Sequence, residues 1–145
     1  STSGARGWFV TLLTNPDFES IFEAPMPEPM LEAICEHPEP NIRLMTMNVA
    51  MSTATELAHL ANGDAELAAA SAMTRDRSSA LLFALVDRLP GLRESVAALH
   101  AAVQPSATDP DEVTAEWVAF CDKWGYGAEQ REAIRSQLAS RVLGE

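Results

Sequence analysis

Glu56 and His59 lie three residues apart. On a helix they share a face, the arrangement in which a carboxylate orients an imidazole or raises its basicity for proton transfer. A catalytic pair of this kind also needs a nucleophile, and the sequence supplies no identifiable one. The same Glu-x-x-His spacing is half of the ligand set that a di-metal bundle draws from two helices. The other histidines, His37 and His100, have no acid three residues before them, so the set fails on count and no metal is expected. Met45, Met47 and Met51 with Cys35 and His37 would be soft ligands for Cu(I). Met45 points away from the other two methionines, however, and thioethers on an apolar helix read as core.

The surroundings of Glu56 and His59 are more informative. At 100° per residue, Leu44, Met47, Met51, Ala54, Ala58 and Ala61 share one broad face of a helix over residues 41–61. Asn48, Ser52, Thr55, Glu56 and His59 gather in a sector about 100° wide. That sector holds one carboxylate and no Lys or Arg, unlike an ordinary solvated face. Small hydroxyls, an amide and an imidazole suit either a polar layer between helices or a hydrogen-bonding pocket. Arg75, on the next helix, is the one charged group at a height to reach Glu56. With the five residues of the sector it completes the candidate ligand-binding set: Asn48, Ser52, Thr55, Glu56, His59 and Arg75.

These residues need helices to hold them, and the sequence supplies helices throughout. The expected fold is all-α: an irregular bundle of about six helices built on a long antiparallel hairpin. Its arms are residues 41–61 and 65–89, turned at Asn62-Gly63 and capped at Asp64. Pro90-Gly91 stops the second arm, and Leu92, Val96, Leu99 and Val103 stripe a helix over 92–103. Residues 104–110 form a loop before a C-terminal hairpin of helices over 110–124 and 128–143. Asp109 is the expected cap of the first of these, with Pro110 at its first position and Glu112 completing a capping box. Trp117 and Trp124, seven apart, are expected in the core. Of the 75–77 triplet, only Arg75 is placed near the apolar edge; Asp76 and Arg77 are expected in water.

The beginning of the chain is less regular. Residues 7–14 carry strand-like composition, yet no second strand exists to pair with them, so a short helix is expected. Asn15 and Pro16 open another turn. Prolines at 25, 27, 29, 38 and 40 make residues 24–40 a semi-rigid joint around a short helix over 29–37. Residues 1–4 read as a processed or excised boundary, and 1–6 are expected to be disordered.

One domain accommodates all 145 residues, and a hydrophobic share of 47% is enough for one core. The net charge of −11, from 10 basic and 21 acidic residues, argues against a nucleic-acid partner, which requires a basic footprint. No apolar run approaches the ~18 residues of a membrane span. The two cysteines, Cys35 and Cys121, make no disulfide framework and read as reduced core thiols of a cytoplasmic protein. No phosphate loop, dinucleotide fingerprint or nucleophile elbow is present.

The residues point first to a non-catalytic interaction or assembly domain. It needs no cofactor, and its partner is a protein or a second copy of itself. The adjacent aromatics Trp8 and Phe9 are its expected contact residues. The alternative is a small-ligand bundle using the polar sector of the 41–61 helix. An enzyme using Glu56 and His59 as an acid–base pair is the third possibility.

Overall fold

In the computed structural model, residues 2–23, 25–105 and 110–144 are described. They form helices α1 (Thr2–Thr14), α2 (Glu28–Cys35), α3 (Pro38–Ala61), α4 (Ala65–Leu85), α5 (Leu92–Ala102), α6 (Glu112–Lys123) and α7 (Ala128–Gln137). A 3-10 turn, Pro16–Phe22, follows α1, and a π turn, Leu138–Val142, extends α7. No strand occurs among the described residues, and the protein is an all-α bundle. Among the described residues no helix is long and apolar enough to cross a membrane.

α3 is the central element. It begins at Pro38, three residues earlier than the sequence pattern suggests. Pro38 and Pro40 start this helix rather than ending the one before, because the first helical N–H groups have no intrahelical acceptor and proline loses nothing there. α3 packs most extensively on α4 and also meets α5 and α7. Leu44, Met45, Val49, Ala50 and Ala54 of α3 are buried with Leu81, Leu82 and Leu85 of α4. Val96, Leu99, Phe120, Ile134 and Leu138 from α5 onward complete the same core. Polar ties fix the layers: Thr46 to Ser95 at 2.9 Å, Gln130 to the Ala54 carbonyl at 3.1 Å, and Gln137 to Ser79 at 2.8 Å.

Gly63, with φ +74°, makes the turn between α3 and α4, and Asp64 caps α4 by accepting the Leu67 N–H. α6 is capped by Asp111, which accepts the Thr114 N–H at 2.7 Å; that bond holds the Asp111 carboxyl below its ordinary range. The expected cap, Asp109, lies outside the described residues, as do 106–108 of the expected loop.

α1 runs from Thr2, so a helix occupies the described part of the segment expected to be disordered. Its C-terminal end poses a bonding problem. The Leu12 carbonyl would normally accept the N–H four residues on, but that residue is Pro16 and has none. Arg77 of α4 fills the gap. Its Nη1 donates to the carbonyls of Leu12 at 3.2 Å and Asn15 at 2.7 Å, and its guanidinium lies 5.3 Å over the Phe22 ring. Arg77 is therefore buried at 5% exposure, contrary to its expected place in water. The sequence could not show that α1 and the 3-10 turn cover that side of α4. Arg88 binds Glu28 at the start of α2, and this hydrogen bond lowers the carboxyl's pKa.

Candidate functional site

The polar sector of α3 divides into engaged and free groups. Glu56 pairs with Arg75 across the turn, both side chains about four-fifths buried, and Arg75 also binds Asp76 at 3.0 Å. The Ser52 hydroxyl donates back to the Asn48 carbonyl at 2.6 Å, within its own helix. Asn48, Thr55 and His59 are half-buried and make no side-chain hydrogen bond to another described residue. Glu56 is thus turned to a guanidinium instead of to His59. Neither of the two cavities described below is lined by any of the six candidate ligand-binding residues. Among the described residues no cluster of three or more His, Cys, Asp or Glu side chains gathers as a metal site would require.

The aromatic pair at the N-terminus also divides. Phe9 is 1% exposed and belongs to the core, with Leu13, Leu81 and their neighbours, so its expected exposure is corrected. The cause is helical geometry: successive residues point about 100° apart, so one can enter the core while the next faces outward. Trp8 is 45% exposed and braced edge-on against Phe9, ring centroids 4.9 Å apart. Trp117 is buried as expected, beneath the Arg43 guanidinium. Trp124 is half-exposed, because α6 ends at Lys123 and the chain turns away at Gly125.

Trp8 stands in the wall of a cavity of about 620 Å³ formed by α1, the end of α2 and the start of α3. Ile34 lines its apolar side, and Glu36, His37, Glu39 and Asn41 bring the polar groups. The prolines position these residues. Pro38 and Pro40 fix the entry to α3, so that the two glutamates and His37 occupy the short link and first turn between α2 and α3. Asn41 is only 6% exposed. Its Nδ2 donates to the Ile34 carbonyl at 2.9 Å, tying the end of α2 to α3, while its Oδ1 accepts nothing from a described residue. That oxygen is not among the sealed polar atoms lacking a partner, and Asn41 lines the cavity. Glu36 and Glu39 are exposed and enter no ion pair with a described residue. Of the cavity's residues only Trp8 carries a contact signal in the sequence; His37, Pro38 and Pro40 stand out there for other reasons, since the folding of a proline-rich joint onto α1 leaves no periodic signal.

A second cavity, of about 430 Å³, lies between the 3-10 turn and α4, lined by Glu19, Phe22, Glu23, Asp76 and Arg77. Arg77 Nη2 and Ser78 Oγ are buried without a partner among the described residues. Two groups elsewhere have strongly neutral character. Burial pushes the Cys121 thiol up and the Tyr126 phenol up to about 12, and neither residue lines a described cavity. Both cysteines are free.

The chain belongs to the family described as Uncharacterised conserved protein UCP020893, whose model matches residues 1–141. No curated protein and no solved structure matches it.

Proposed function

We propose that this chain is a non-catalytic helical interaction domain that docks a partner protein at the cavity between α1, α2 and α3, with Trp8 as the anchor. The observation that carries this reading is the placement of Trp8: half-exposed, held by the buried Phe9, and set in the wall of a cavity of about 620 Å³. A tryptophan already fixed in position loses little entropy on binding and makes a strong contact residue. Catalysis has less support. The one acid beside a histidine on α3 is engaged by Arg75, and the thiol and phenol raised by burial are held neutral. A net charge of −11 disfavours a second copy of the same chain and favours a partner of opposite sign. Two free thiols suit a reducing compartment, and we place the domain in the cytoplasm.

The test is site-directed photo-crosslinking in extract of the source cells. A photoreactive residue at position 8 should label a discrete partner, and one at exposed Phe83 on α4 should not. Labelling from position 83 with none from position 8 would move the interface elsewhere and overturn the proposal.

A further inference from the structure

The polar side chains of the Trp8 cavity are mostly acceptors, with the His37 imidazole as the one group beside them that can donate. The cavity's carboxylates, Glu36 and Glu39, have no ion-pair partner among the described residues, and the nine-tenths-buried Asn41 has its amide nitrogen committed to the Ile34 carbonyl, leaving Oδ1 as its remaining polar atom. All three offer acceptors. Among the described residues no Lys or Arg lines the cavity. The aromatic member adds the negative face of an indole, which attracts a cation within about 6 Å of the ring. An anion would meet two carboxylates and an amide oxygen against a single imidazole. An apolar group covering Asn41 Oδ1 would leave that acceptor without a donor.

We infer that the group this cavity recognises is a guanidinium: the arginine side chain of a basic segment on the partner. A guanidinium is planar and stacks on aromatic faces, and its several N–H donors can meet two carboxylates and an amide oxygen together. Its methylene stem suits the apolar wall at Ile34 and Trp8. The acidity of the whole chain would draw a basic segment toward it. This inference rests on the docking reading above and specifies the occupant of the same site.

The experiment is a titration of the full chain, followed by nuclear magnetic resonance at the Trp8 indole N–H, assigned by its loss in Trp8→Phe. The probes are N-acetylarginine amide and its neutral counterpart, N-acetylcitrulline amide. The arginine probe should move the Trp8 resonance and bind about ten-fold tighter than the citrulline probe, a difference of about 1.4 kcal/mol. The Glu36→Gln/Glu39→Gln double variant should lose that preference while keeping its melting temperature, because both side chains are exposed and have no ion-pair partner among the described residues. Equal binding of the two probes at Trp8 would overturn the guanidinium assignment and leave the docking site standing. No movement of Trp8 with either probe would also overturn the assignment; the docking reading would then be decided by the effect of Trp8→Ala on the partner itself.

Discussion

Arg77→Met should destabilise the protein by about 2–4 kcal/mol and loosen α1 before the rest of the bundle. The Arg77 Nη1 supplies the hydrogen bonds at the Leu12 and Asn15 carbonyls, one of which Pro16 leaves without an intrahelical donor. A hydrogen bond to a charged group contributes about 1.5–3 kcal/mol, so the two together are worth about 3–6 kcal/mol. Part of this is returned, because methionine removes a buried cation whose Nη2 has no partner, an arrangement that itself costs about 1–3 kcal/mol. Methionine keeps most of the volume, so a cavity term adds little. The assay is urea unfolding followed by tryptophan fluorescence, paired with hydrogen exchange resolved along α1. Amides of α1 should exchange faster in the variant, and those of α3 should slow down or speed up only with global stability. A loss under about 0.5 kcal/mol with α1 protection unchanged would show that water satisfies those carbonyls equally well and would refute the reasoning.

Two other perturbations have defined outcomes. In a double-mutant cycle, Glu56→Gln and Arg75→Met should couple by about 1–2 kcal/mol, above the range of exposed pairs because both side chains are about four-fifths buried; additive single effects would remove the pair as a contributor. Tyr126 is the one tyrosine, so phenolate absorbance reads it alone. Its midpoint should fall at about 12, against 10 for a free tyrosine, with burial as the cause. Since the unfolded phenol ionises first, this group's stabilisation is complete below pH 10 and is lost as pH rises from 10 through about 12. A midpoint near 10 would mean that the phenol is solvated.

Periodic features of the fold were legible in the sequence, and features made by distant segments were not. The stripes on α3 and α5 and the turn signal at Asn62-Gly63 follow from local chemistry, and that turn also fixes the heights of Glu56 and Arg75, which is why their pairing could be anticipated. Pro38 and Pro40 start α3 inside what the sequence presents as a joint, because proline is compatible with both sides of a helix boundary and only the neighbouring elements decide. Arg77 was placed in water and Phe9 at the surface for one shared reason: each faces a layer made by a segment remote in the chain, α1 over α4. The candidate site suffers most from this limit. Trp8 carried a signal as an aromatic near the chain start. Asn41, Glu36 and Glu39 acquire meaning only when the proline joint brings the end of α2 and the start of α3 against α1.

The central claim is that a partner docks on Trp8, and the direct measurement is the affinity of the photo-crosslinked partner, purified, for wild type and Trp8→Ala by isothermal titration calorimetry. Truncating an anchoring tryptophan should weaken binding by at least about 30-fold, or about 2 kcal/mol, while Phe83→Ala leaves it unchanged and both variants melt within a few degrees of wild type. An affinity unaltered by Trp8→Ala would contradict the account.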